Sequence, residues 1–250
     1  MSTPSTNTSA YKPGAAGGLR NPTAQNLLRV GAGMLSVILI VLCVQTGTAY
    51  FSANDAVAQT ERWFNGQSKA DEADLEIVQK NLESVDSAIL DDATIKLALA
   101  KLYFVRGQHN QSDVYFEAAH KAISDVQLMQ PSHFEALALR VVLDDYLDEI
   151  GQDTLSTLRK LLTMGPFERE VQKLVGPILV KRWYSLPPDI HSMAEPLITS
   201  ALREKSAKAV LMNSMARYHI VLPFFCCSPN QETSDQLSHL ETSIRNATVR

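Results

Sequence analysis

Cysteine is scarce, with three in 250 residues, and their positions argue against a disulfide framework. Cys43 lies inside a long apolar run, and Cys226 and Cys227 are neighbours whose bridge would close a strained ring. The ordinary role for such thiols is that of small buried apolar residues. Motifs that carry chemistry are missing as well: there is no Gly-rich phosphate loop, nucleophile elbow, His-Glu-x-x-His or Cys-x-x-Cys. His109, His133, His191, His219 and His239 are scattered without ligand spacing. The formal net charge of −4 leaves no basic footprint for nucleic acid. No stretch of alternating residues reads as a strand. These absences point to an all-α chain that is not an enzyme and needs no cofactor and no metal.

One absence is local. The 22 residues from Val30 to Phe51, "VGAGMLSVILIVLCVQTGTAYF", carry no charge. As a helix they would rise about 33 Å, against roughly 30 Å of bilayer hydrocarbon. Residues 1–29 hold Lys12, Arg20 and Arg29 and no acid, a charge of +3, whereas the other 221 residues hold 20 basic and 27 acidic side chains, a charge of −7. The expectation is a transmembrane signal anchor over 27–51, with the N-terminus cytoplasmic and the C-terminal domain periplasmic at a bacterial inner membrane. A cleaved signal peptide is the rival, through the small-x-small sites Gly47-Thr48-Ala49 and Ala56-Val57-Ala58. The 29-residue leader is too long for an ordinary one, and the second site lies far beyond the apolar run. Cys43 is not a lipoprotein cysteine, because Leu42 precedes it where a small residue is needed.

Four regions follow. Residues 1–26, rich in Ser, Thr, Asn, Gly and Pro, read as a disordered cytoplasmic tail. The anchor occupies 27–51. Residues 52–223 are helical throughout. Residues 224–250 read as a polar tail, in which "SDQLSHLETSI" can form a short helix. Within the helical region, Ser52 or Asn54 opens a helix to about Phe64. Asp71 opens one with Leu75, Val78 and Leu82 at helical spacing. Ile95, Leu99, Leu102 and Val105 recur at three and four, with Gly107 as a stop. Asn110 and Ser132 are cap candidates for the next two helices. Gly151 ends the second of these, Asp153 starts another, Pro166 suits a first helical position, and Pro187-Pro188 makes a break before two more helices. Short connections favour antiparallel pairs. Pro131 and Pro166 stand 35 residues apart, near the tetratricopeptide period of about 34. Leu99, Ala100, Tyr103 and Gly107 fit the first-helix pattern of that repeat, and Ala119, Ala122 and Ile123 supply second-helix contacts. The fold expected after the anchor is a tetratricopeptide-like helix-pair solenoid.

Glu117 and His120 have the Glu-x-x-His spacing of a metal-binding helix face. A carboxylate-bridged metal pair needs a second such segment, and the chain has none. They read as polar neighbours of the packing residues Tyr115, Phe116, Ala118, Ala119 and Ala122. The acidic pairs Asp91-Asp92 and Asp144-Asp145 read as helix N-terminal charge and solvated surface. The most recognition-like stretch is "KRWYSLPPD". Its Arg182, Trp183 and Tyr184 are residue types favoured at interfaces and on sugars, although a core role for Trp183 at a helix end is the stronger reading.

The segment "LLTMGPFEREVQKLVGPILVKRWYSLPPDIHSMAEPLITSALREKSAKAVLMNSMARY" resembles the VpsP-type family of bacterial polysaccharide biosynthesis proteins. Gly165-Pro166-Phe167-Glu168, Val171-Gln172, Trp183 and Leu186 carry the likeness, with the amphipathic helix pair that follows. The preceding helix pair and the N-terminal anchor extend it to about residues 30–227. The resemblance implies an envelope accessory protein of exopolysaccharide or capsule biosynthesis and export, a non-enzymatic scaffold partnered by other inner-membrane or periplasmic assembly proteins. It implies no site residues. The alternative function is a periplasmic carbohydrate-binding module using Trp183 and Tyr184, with glycan as the partner.

Overall fold

The computed structural model describes residues 22–89 and 92–248. The tail expected over 1–26 lies outside them up to residue 21, as do Lys12, Arg20 and Asp91. Among the described residues the chain is all-α, as the periodicity predicts, with no strand. In order the helices are α1 (Pro22–Phe64), α2 (Glu72–Ala88), α3 (Ala93–Asn110), α4 (Asp113–Met129), α5 (Phe134–Tyr146) and α6 (Gln152–Met164). Then come α7 (Arg169–Arg182), α8 (Pro188–Ala201), α9 (Lys205–Tyr218) and α10 (Gln231–Thr248), with 3₁₀ segments at Trp183–Ser185 and Leu222–Cys227. The chain divides into two compact units, Met1–Thr48 and Ala49–Arg250.

In the first unit the side chains from Val30 to Val44 are exposed. Among the described residues, however, no helix is long and apolar enough to cross a membrane. This corrects the expected transmembrane anchor over 27–51, together with the single-pass inner-membrane location and the cytoplasmic and periplasmic sides assigned from it. The most apolar part of the expected span, Met34 to Val44, has 11 residues, a rise of about 16 Å against roughly 30 Å of hydrocarbon. Small residues precede it, and Gln45, Thr46, Gly47 and Thr48 follow it in sequence. Nor does a second helix start at Ser52 or Asn54, since α1 continues unbroken to Phe64.

The second unit is built by amphipathic helices whose buried residues follow the 3.6 period. On α2 these are Leu75, Val78, Leu82 and Val85; on α6 they are Thr154, Leu158, Leu161 and Leu162. Helix α3 differs, because it is apolar on two faces. Ile95, Leu99 and Leu102 pack with α2 and the end of α1. Leu97, Ala100 and Phe104 pack with α4 and α5. Each fully buried Leu or Ile contributes about 1.5–3 kcal/mol, and this second face places α3 inside the fold. A larger core joins α5 to α10 through residues such as Leu161, Leu179, Leu197, Leu211 and Phe224.

Sequence neighbours pack together, α3 on α4, α5 on α6 and α7 on α8. Alternate helices also touch in a row, α3 with α5, α5 with α7 and α7 with α9. Close approach is set by small residues. A Cβ on Gly107 would lie 2.5 Å from the Phe116 ring, and one on Gly176 would lie 3.3 Å from Leu211. Gly107 therefore seats Phe116 inside α3 rather than stopping the helix. The stop is Gln111, in the left-handed region at φ 52°. Three further boundaries move: Ser112, not Asn110, is the N-cap of α4; His133, not Ser132, caps α5; and Gly151 precedes α6 as its N-cap. Pro166 stays in the turn before α7, whose N-cap is Glu168. The region read as a polar tail contains α10, docked through the fully buried Leu237.

Charged side chains tie successive elements. Lys101 on α3 is buried between Glu61 of α1 and Glu135 of α5, 2.6 Å from the latter. Burial alone would lower its pKa; the two carboxylates outweigh it and the net shift is upward from 10.5. A lysine raised on folding contributes stability that is fully present below its unfolded pKa and lost as pH rises through the folded one. Lys101→Ala is expected to destabilise by about 1–3 kcal/mol near neutral pH, a buried-pair loss reduced because Glu61 keeps some solvent. Denaturant melts across pH check this: the gap between wild type and variant should close above about pH 10.5. A gap independent of pH would mean that packing, not charge, is what Lys101 supplies.

Candidate functional site

Neither of the two constellations singled out in the sequence forms a site. Glu117 is exposed on α4, whereas His120 turns towards α5, its Nε2 3.7 Å from Asp144. Among the described residues no group of three or more His, Cys, Asp or Glu is placed to hold a metal ion. Arg182, Trp183 and Tyr184 diverge. Arg182 is locked to Asp145 at 2.7 Å and Asp148 at 2.6 Å. The Trp183 ring is stacked on His191, centroids 4.3 Å apart, and meets Phe224 edge-on at 4.7 Å. The His191 ring is fixed in turn by contact with the Trp183 backbone oxygen at 2.7 Å. Tyr184 alone points outward, 75% exposed. The three therefore do not combine into one flat platform for a sugar.

The solvated reading of Asp144-Asp145 is corrected. Both are buried, because α5 has helices on opposite sides and adjacent side chains diverge into each. Asp144 accepts from Thr154 Oγ1 on α6 at 2.6 Å. Asp145 accepts from Lys181 at 2.8 Å and Arg182 at 2.7 Å on α7. Asp92 does serve as helix N-terminal charge, accepting from the backbone N–H groups of Thr94 and Ile95 at 2.8 and 3.2 Å. Cys226 and Cys227 are free thiols, with Sγ atoms 3.4 Å apart. Burial, reinforced by Cys226, pushes the Cys227 thiol up to about 12. A thiol raised in this way is held in its protonated, less reactive form near neutral pH.

What the fold does assemble is a groove of about 740 Å³ along the α3–α5–α7–α9 row. One wall is aromatic: Phe64, Phe104 and Tyr146 line it, with Phe104 edge-on to Tyr146 at 5.2 Å and to Phe64 at 5.8 Å. The other wall is α7. Lys173, Pro177 and Lys181 are spaced four apart, so they share one helix face that rises about 12 Å from end to end. Pro177 sits inside the helix and has no N–H for the Lys173 carbonyl, which loses its intrahelical partner. Arg217 and Tyr218 close the groove from α9. The pattern K-x-x-x-P-x-x-x-K at 173–181 is legible in the sequence. What it faces is not, since the opposite wall comes from helices as much as 117 residues earlier (Phe64 against Lys181).

Comparisons with protein-family models, with curated proteins and with solved structures returned no match.

Proposed function

We propose that the chain is a non-enzymatic scaffold of tetratricopeptide-like helix pairs, which docks a partner protein in the groove of its α3–α5–α7–α9 row. One observation carries the reading: alternate helices line up and share an open, mixed aromatic and basic groove of about 740 Å³. Stacked helix pairs create extended inner surfaces suited to a helix or peptide. Asp144, His191 and Trp183 are engaged in contacts between neighbouring elements, which supports the groove as the place for recognition. The resemblance to VpsP-type proteins puts the partner among the components of exopolysaccharide or capsule assembly and export.

Deletion of the gene is expected to lower polymer output, and the full chain to restore it. Gln108→Trp, which fills the groove from an exposed position, is expected to fail to restore output while the protein folds to wild-type helicity. Full output from Gln108→Trp would remove the groove from the function. Unchanged output on deletion would remove the link to polysaccharide.

A further inference from the structure

The groove's charge identifies what it takes. Its lining carries Lys173, Lys181 and Arg217 against a single carboxylate, Asp145, a surplus of two positive charges in a chain whose net charge is −4. The Asp145 carboxylate is already shared by Lys181 and Arg182. Among the described residues the ion pair of Lys173 is a loose one, with Glu170 one turn away at 3.7 Å, and on its other side Lys173 borders a second pocket lined by Glu61 and Glu135. Arg217 is exposed, lies 5.7 Å from the centroid of the Tyr218 ring, and among the described residues makes no ion pair. Two cations, Lys173 and Arg217, therefore line the groove without a close carboxylate inside it. Opposite them stands the aromatic wall of Phe64, Phe104 and Tyr146, with Tyr146 still 41% exposed.

We infer that the groove binds a peptide segment of a partner protein that presents carboxylates next to a large aromatic or aliphatic side chain. This deepens the scaffold reading and rests on it. The carboxylates meet Lys173 and Arg217 in charge-assisted hydrogen bonds, which an Arg fork makes bidentate. The apolar side chain packs on Tyr146 and against Leu174 and Ile178 of α7. A wholly apolar segment would leave the two cations desolvated without a partner, and a basic segment would meet like charge.

A random dodecapeptide library displayed on phage is selected on the purified full chain and counter-selected on the Lys173→Glu/Arg217→Glu double variant. Enriched sequences are expected to carry Asp or Glu within a few residues of Phe, Trp, Tyr or Leu. A synthetic peptide of the enriched sequence should bind the double variant at least about tenfold more weakly and bind wild type more weakly as salt rises. Lys173→Arg should retain binding. Both variants should keep wild-type helicity and melting temperature, because both positions are at least partly solvent-exposed. Enrichment of basic or purely apolar sequences overturns the inference, as does equal binding to the double variant or no enrichment at all. The scaffold reading is judged separately, by Gln108→Trp, which blocks the groove whatever the charge of its occupant.

Discussion

Phe224→Ala is expected to cost about 3–5 kcal/mol, the range for truncating a buried aromatic. Phe224 is the bulkiest of the fully buried side chains. It comes from the 3₁₀ segment Leu222–Cys227, which sequence reading placed at the edge of the domain. Its ring meets the Trp183 indole edge-on at 4.7 Å, while His191 stacks on Trp183 at 4.3 Å. Truncation leaves a cavity beside the indole and exposes it to water. Denaturant unfolding followed by circular dichroism and tryptophan emission measures both effects. The expected result is a lower midpoint with unchanged slope, and a red shift of native emission. A loss under about 1 kcal/mol would mean that the segment lies over the core rather than in it.

Asp145→Ala is the second large effect. A buried carboxylate removed from beside two cations leaves uncompensated charge, which costs about 3–5 kcal/mol when the site is fully buried. Here Lys181 and Arg182 keep 32% and 23% of their side-chain exposure, so part of the loss is recovered by water. The expected cost is about 2–4 kcal/mol. Asp145→Asn should cost less, since the amide oxygen still accepts from Arg182. Equilibrium unfolding of the two variants decides this. A change within about 0.5 kcal/mol for Asp145→Ala would return the residue to the solvated surface expected from sequence.

Much of the fold was legible because helices announce themselves locally. The Leu75–Val78–Leu82 spacing, the Asp92 cap, and the proline pair that opens α8 each determine a few neighbouring backbone angles and need no distant partner. Where the reading went astray, the deciding contact was distant. Gly107 looks like a helix stop in sequence, and only Phe116 across the α3–α4 contact shows why a Cβ is excluded there. Asp144 and Asp145 look solvated until α6 and α7 are laid on either side of α5. The last region looks like a polar tail because Leu237, Leu240 and Ile244 are sparse among polar residues, yet their spacing of three and four suits one buried stripe. The uncharged run over 30–51 met a counting rule for membrane spans that the described helix does not satisfy. The groove was the least legible feature. Its α7 face is periodic and visible, but its aromatic wall is contributed by α1, α3 and α5, and no local pattern specifies that row.

The central claim is that the groove is where this protein meets its partner, and a photo-crosslinker placed in it tests that most directly. A photoreactive phenylalanine replaces Gln108, which lines the groove, or Leu128, which is 82% exposed on α4 and does not line it. Each full-length variant is irradiated in cells, and adducts are identified by mass spectrometry. The expected result is one discrete adduct from position 108, through an acidic segment of a polysaccharide-assembly protein, lost when Lys173 and Arg217 are also changed to Glu. The same adduct from position 128, or none from position 108, would contradict the claim.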